Sequence, residues 1–538
     1  MQRRNKKVFC AMAVMGVMSI SACGQTTEEN VQDVQNEKIA ESEEVTVPEI
    51  PETDFKVTIT MENASPFHDG KFEGWGTSFC WWANRIGYSD VLSEKAAKAF
   101  YDKEEGLGLN IVRYNIGGGD DPTHAHITRT DSEVPGYAIN PTYDETSGTY
   151  TWEYDWTQDA NQRNVLQKVM ENYGEDIIVE GFSNSPPYFM TNSGCSSGAE
   201  NASDDNLRED AYDAFATYLV DVAEHFDSEW GVRFQSMTGM NEPYTSYWHA
   251  YSDKQEGCHF EYGESQSKMI VALRNALNER GMGDVQVSGT DETSIDTQLI
   301  TYNNLSPQAK ESITRIDTHS YSGTSLARMK EVASSEGKNL WMSEVDGGDI
   351  VGRNAGQMGA GLWLARQIIN DMNGMEPSAW ILWQVIDNHI SKDGYHGKTD
   401  SGMVDVEKGY WGTAVADHDN EDILLTMKYY TFGQFTRYIR PGDTIISGDK
   451  RSLAAYDAEN QKLTIVVMNS DEEEISYYFD LSSFSEIGTS AQVIRTSGSL
   501  ENGEKWKELA PIETLENGLE VNLKGNSVTT FVIENIVE

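Results

Sequence analysis

Between residues 72 and 386 the chain carries eight short apolar runs, each ending at Gly, Asn, Asp or Glu and each but the last followed by polar or amphipathic sequence. The runs cover 74–80, 109–116, 177–182, 234–240, 285–289, 315–319, 339–343 and 379–385. Intervening stretches such as 159–173, 208–226, 266–280 and 355–372 repeat apolar residues every three or four positions, the spacing of a helix that buries one face. Strand and helix alternating in this way predict an α/β fold, a (β/α)8 TIM barrel with long loops after runs two, three and four. An open doubly wound sheet is the alternative. Against it, no phosphate-cradling glycine motif follows any run, since Gly117-Gly118-Gly119 lacks both the spacing and the lysine.

Residues 428–440 read as a closing helix, after which the pattern changes to period two. The runs 452–457, 462–468, 475–479, 491–495, 519–523 and 527–533 alternate between Gly, Asn and Asp turns, which predicts an accessory all-β antiparallel sandwich. Residues 55–61 alternate in the same way and are expected to join it. The expected organisation is therefore a joining strand within 55–71, a barrel over 72–440 and a sandwich over 441–538.

Ahead of these lies a targeting segment. Arg3, Arg4, Lys6 and Lys7 precede apolar or small residues from Val8 to Ile20, too few to span a bilayer core of roughly 30 Å but suited to a signal peptide over 1–22. Ile20-Ser21-Ala22-Cys23-Gly24 resembles the lipobox of bacterial lipoproteins, which implies acylation of Cys23 and anchoring to the outer face of the cell membrane; an ordinary secretory signal with an incidental cysteine is the alternative. From residue 25 to 54 there are ten acidic residues against one lysine, so 23–54 reads as a solvated tether.

A net charge of −46 excludes a nucleic acid or an anionic membrane held by charge, leaving membrane contact to the lipid anchor alone. The 13 Trp and 25 Tyr are compatible with stacking on a neutral ligand. Of the five cysteines, Cys80, Cys195 and Cys258 remain once Cys10 and Cys23 are set aside. With no CxxC and no His at zinc-finger spacing, no metal or other cofactor is expected. Cys195 and Cys258 lie in polar loop sequence and either pair or stand as free thiols. The acidic stretch 417–422 lacks the glycine and terminal glutamate of a calcium loop and reads as a solvated loop.

In a (β/α)8 barrel the chemistry gathers at the strand C-termini. Glu242 closes run four in Asn241-Glu242-Pro243, and Glu344 closes run seven in Met342-Ser343-Glu344. Strands four and seven face each other across the mouth, so these carboxylates converge, and a carboxylate pair about 5–5.5 Å apart is what retaining glycoside hydrolysis requires.

Asn241-Glu242-Pro243 with Glu344, and above all Gly74-Trp75-Gly76-Thr77-Ser78-Phe79-Cys80-Trp81-Trp82-Ala83, resemble glycoside hydrolase family 30, in its branch of endo-β-1,6-galactanases. The likeness runs from about Phe72 to the C-terminus. It implies Glu242 as acid/base, Glu344 as nucleophile, Asn241 on the sugar 2-hydroxyl, Tyr321 bonded to the nucleophile, Trp383 as aromatic floor and Arg113 buried beside the nucleophile. Asp120 aligns with a sugar-binding aspartate. Asn184 and the Trp81-Trp82 pair are expected around the mouth. One departure stands out: Ser183-Asn184-Ser185 occupies the position where many relatives carry tryptophan, which tells against glucosylceramide or xylan and favours a polar contact to the sugar.

The resemblance therefore implies endo-hydrolysis of β-1,6-linked galactan, such as arabinogalactan side chains; a monomer is expected. The alternatives are another β-linked glycan such as β-1,6-glucan, or a non-catalytic sugar-capturing lipoprotein.

Overall fold

The computed structural model describes residues 51–129, 132–347, 356–391 and 411–538; the leader, Cys23 and most of the expected tether lie outside them. The eight expected runs form eight strands: β1 (Gly74–Ser78), β2 (Ile111–Asn115), β3 (Ile178–Phe182), β4 (Ser236–Thr238), β5 (Gln286–Ser294), β6 (Arg315–Ser322), β7 (Asn339–Val345) and β8 (Ala379–Leu382). They close into one barrel. The seam between β8 and β1 is parallel, from Ala379 opposite Gly74 to Leu382 opposite Thr77. Gly74, at φ +141°, allows this start: a Cβ there would lie 1.9 Å from Asn110 Oδ1, the atom that accepts the Trp75 amide at 3.1 Å.

The amphipathic stretches become helices Ala160–Tyr173, Tyr212–Trp230, Glu264–Glu279 and Met358–Gly374. The last four residues of the closing segment depart from expectation, because its helix spans Met427–Thr436. The loop after β2 contains a hairpin, Ala138–Asp144 with Thr149–Tyr154, that the sequence reading missed. Residues 417–422 form the turn of another hairpin, in which Asp417 accepts the Asp419 and Asn420 amides.

The sandwich consists of a six-stranded sheet and a three-stranded sheet around Ile465, Tyr477, Phe479, Phe531 and their neighbours. Phe55–Thr58 joins the smaller sheet, but parallel to Ile475–Asp480 rather than antiparallel. Two strands were missed, Thr444–Ser447 and Glu504–Glu513. The latter is an edge strand whose charged, largely exposed side chains hide its period and discourage pairing with another chain. The closing helix ties barrel to sandwich: Trp506 Nε1 donates to Tyr430 O at 2.7 Å and Thr530 Oγ1 to Gln434 O at 2.9 Å.

Inside the barrel, an apolar layer of Ile111, Trp341, Ala379 and Ile381 adjoins a layer of paired charges. Glu180 accepts from Arg113 Nε at 3.0 Å and from Arg315, which also holds Asp317 at 2.6 Å. The Arg315 guanidinium lies 3.4 Å from the Trp341 ring centroid. Charges buried this completely persist only when each is matched.

Cys80, Cys195 and Cys258 are buried free thiols, so Cys195 and Cys258 do not pair. Among the described residues no helix is long and apolar enough to cross a membrane.

Candidate active site

β4 is only three residues long, and the chain leaving it turns sharply. Glu242 adopts φ 47°, a left-handed conformation that is costly for a side chain of this kind. Three hydrogen bonds hold it there: its amide donates to Asp291 O at 2.8 Å, and its carbonyl accepts from Thr245 Oγ1 at 3.0 Å and Trp248 Nε1 at 3.1 Å. Across the mouth, the pairing of β7 with both neighbours shifts register after Met342, at Glu344. Such irregularities re-aim side chains at sheet ends.

The two glutamates consequently meet. One carboxylate oxygen of each lies within 4.8 Å of the other, with a His319 nitrogen inside the same distance of both. That separation is too small for the intervening water of an inverting pair, which needs roughly 6.5–9.5 Å. His319 Nδ1 lies 3.1 Å from Glu242 Oε1 and 3.5 Å from Glu344 Oε1, while its Nε2 lies 3.1 Å from Asp291 Oδ1. Tyr247 donates its hydroxyl to Glu242 Oε2. Glu344 accepts from Tyr321 at 3.0 Å and from Arg113 Nη1 at 3.2 Å, and Arg113 Nη2 reaches Asp291 Oδ2 at 2.5 Å.

These contacts set the protonation of the site. Burial opposes charge on His319, yet Glu344 and Asp291 hold its pKa well above the ordinary imidazole value, so the ring donates from both nitrogens. Asp291 is also buried, but Arg113 and His319 outweigh that and keep it ionised. Burial pushes Glu344 up to about 7, with His319 and Arg113 opposing and Glu242 reinforcing. Burial pushes Glu242 in the same direction but is overcome by His319 and Tyr247, so its pKa is lowered. The pair thus shares one proton near neutral pH.

Above the pair lies a cleft of about 610 Å³, lined by Trp81, Arg129, Asn241, Tyr247, Trp248, Tyr321, Trp383, Asp387 and Trp411 among others. Trp81 and Trp383 meet edge to face at 5.2 Å, and Arg129 lies 4.1 Å from the Trp81 ring centroid. Of the residues singled out from the sequence, Glu242, Glu344, Asn241, Tyr321, Trp81 and Trp383 line this cleft, and Arg113 lies directly beneath Glu344.

Three others are not among the lining residues. Trp82 turns into the core, donating Nε1 to Ser78 O at 2.7 Å and packing on Phe79 and Phe100. Asn184 is buried beside Cys80. The Asp120 carboxylate faces His124 and His126 instead. The sequence reading missed His319, Tyr247, Trp248, Arg129, Asp291 and Trp411. Only His319 carried a signal, as a polar residue closing run six beside Tyr321.

The comparisons agree with this geometry. The model of O-glycosyl hydrolase family 30 matches residues 48–322, and that of glycosyl hydrolase family 59 matches residues 234–418. An endo-β-1,6-galactanase of Hypocrea rufa is 30% identical over 501 residues, covering 89% of this chain and 95% of the relative. An exo-β-1,6-galactobiohydrolase of Bifidobacterium longum is 25% identical over 555 residues, covering 81% of this chain and 36% of that longer protein. Among solved structures, the catalytic domain of a family 30 xylanase C from Talaromyces cellulolyticus superposes with a TM-score of 0.63 at 17% identity, covering 89% of this chain and all of that one. The chain belongs to O-glycosyl hydrolase family 30 and is a retaining glycoside hydrolase that works through two glutamates.

Proposed function

We propose that the two glutamates are Glu242 and Glu344, and that the enzyme cuts within β-1,6-linked galactan. The observation that carries the first part is the meeting of the two carboxyls within 4.8 Å at the ends of β4 and β7. Glu344 attacks the anomeric carbon, and Glu242 protonates the departing glycosidic oxygen. Glu242 then deprotonates the water that hydrolyses the glycosyl ester on Glu344, so the two inversions leave the β configuration unchanged.

The starting state needs the shared proton on Glu242. In the present geometry Tyr247 and His319 favour its ionised form, so a glycosidic oxygen that displaces the Tyr247 hydroxyl raises the Glu242 pKa and draws the proton across. Arg113 and Tyr321 stay on Glu344 and stabilise the charge it must carry as nucleophile. Asn241 Oδ1 is buried without a protein partner and suits a sugar 2-hydroxyl.

The galactan assignment rests on the Hypocrea rufa relative, which matches across nearly the whole of both chains. A galactosyl ring has an axial 4-hydroxyl that needs a polar neighbour, and Arg129, Lys254, Gln255 and Asp387 line the cleft with its tryptophans. Asn184 and Asp120 are not needed for this. Incubation with β-1,6-galacto-oligosaccharides and with β-1,6-glucan side by side tests the reading: faster release of short galacto-oligosaccharides supports it, whereas preferential cleavage of the glucan overturns it. Binding of either without turnover would make the protein a capture module.

The protein is exported, acts as a monomer and is held at the outer face of the membrane by an acyl chain on Cys23. The n-region, h-region and lipobox order supports this. Cys23→Ala should move the protein from the membrane fraction to the medium; unchanged fractionation would show that the anchor is elsewhere.

A further inference from the structure

Asp120, His124 and His126 follow β2 on one loop, and Cys195 comes from the loop after β3, 69 residues beyond His126. One donor atom from each lies within 4.8 Å of the other three. The individual approaches are 3.2 Å from His124 Nδ1 to Asp120 Oδ1, 3.3 Å from His126 Nδ1 to Asp120 Oδ2, and 3.3 Å from Cys195 Sγ to His126 Nε2. A tetrahedral zinc site with N, O and S donors has neighbouring donors roughly 3.3–3.7 Å apart; an imidazole gives one nitrogen to an ion, so His126 binds through either Nδ1 or Nε2 and the four donors draw in from within 4.8 Å of one another.

The His126 Nδ1 approach to Asp120 does not have hydrogen-bond geometry, and this nitrogen is otherwise without a partner. We propose that Asp120, His124, His126 and Cys195 form a structural metal site, with zinc as the ion that one thiolate, two imidazoles and one carboxylate suit best.

The surroundings have the features of a supporting shell. Cys195 Sγ accepts the Tyr251 amide at 3.3 Å and lies 3.2 Å from Ser197 Oγ, whose own proton goes to the His249 carbonyl at 2.9 Å. Asp120 Oδ1 accepts the Ser196 amide at 3.1 Å. The Tyr251 ring covers both histidines, at 5.2 and 5.4 Å. Such contacts orient ligands and shield a thiolate. The ion would also fasten together the loops after β2, β3 and β4, since Tyr251 and Ser252 follow Tyr247 and Trp248 on the loop that touches Glu242. The site is therefore placed to brace one rim of the cleft without entering the chemistry.

Its ligand spacing explains why a sequence search for paired cysteines and histidines finds nothing here: the fourth ligand is supplied by a separate loop.

The test is metal content and thermal stability of the purified full-length protein, measured after incubation with zinc, after stripping by a chelator, and after zinc is returned. The expected result is close to one zinc per chain, a fall in Tm on stripping, and recovery with zinc. Cobalt in place of zinc should give a near-ultraviolet thiolate charge-transfer band. His124→Ala and Cys195→Ser should each reduce zinc occupancy on the order of tenfold or more. Should either variant fail to fold, the wild-type titration and cobalt spectrum decide alone. Wild-type protein that retains no stoichiometric zinc and shows an unmoved Tm would overturn the proposal, as would both variants holding zinc like wild type. None of these readouts depends on glycosidase activity.

Discussion

The Tyr247 hydroxyl donates to Oε2 of Glu242, five residues earlier on the same loop, and this bond helps to keep the Glu242 carboxyl ionised. Removing a donor from the charged form of a carboxylate raises its pKa. Tyr247→Phe should therefore shift the alkaline limb of the kcat/KM profile to higher pH, because that limb reports loss of the proton from the acid in the free enzyme. A profile that falls in height without moving would assign Tyr247 to substrate contact instead.

The catalytic pair should separate by chemistry. Glu344→Gln should abolish turnover, and Glu242→Ala should slow both steps for substrates with poor leaving groups, each by several kcal/mol of barrier, roughly 10³-fold or more. With an activated aryl glycoside, azide should rescue only Glu242→Ala and give a β-glycosyl azide. An α-configured product would contradict the assigned roles.

Arg113 is fully buried and matches Glu180, Asp291 and Glu344 at once. Its replacement by Met leaves three buried carboxyls short of a partner, which typically costs about 3–5 kcal/mol. Arg113→Lys should recover only part of this, since an ammonium cannot reproduce the guanidinium fork. Denaturant unfolding of both variants measures the difference, and a loss below about 1 kcal/mol would mean that the barrel's charge layer is not held through this residue.

The barrel was legible because its strands, buried on both faces, read as short continuous apolar runs, while its helices, buried on one face, repeat apolar residues every three or four positions. The sandwich was legible through period two wherever a strand has one wet face, as Gly518–Leu523 does. Glu504–Glu513 escaped because it is a charged edge, and the hairpin after β2 because its strands pair only with each other.

The site was legible as far as strand ends carry it. Trp81 and Trp82 show the limit: adjacent residues entering a helical turn point in different directions, and only the first lines the cleft. His319 and Arg113 lie on strands, where register places them, whereas Tyr247, Trp248 and Arg129 come from loops whose course no local pattern encodes. Asp120 was chosen for its position after the glycine run, but its carboxylate is taken by two histidines.

Asp159 offers a test of how burial shifts stability with pH. It precedes helix Ala160–Tyr173 in a left-handed conformation at φ 51°, and its carboxyl is 3% exposed as a residue, with burial pushing its pKa up to about 7 from an ordinary 3.8. Hydrogen bonds from Tyr114, Gln162 and Tyr137 to Oδ2 oppose this shift without cancelling it, while Oδ1 has no partner. A carboxyl whose folded pKa is raised contributes its full stability below the unfolded value and loses it as pH rises toward the folded value. The window is therefore pH 3.8 to about 7. Asparagine keeps the accepting oxygen, carries no charge and tolerates the left-handed backbone better than most residues. Asp159→Asn should accordingly be nearly neutral at pH 4 and stabilise the protein by on the order of 2–4 kcal/mol above pH 7, where the wild type must bury the ionised form. Thermal melts at the two pH values read the effect directly, and an equal change at both would mean that packing around Tyr114 and Tyr137, rather than charge, governs this position.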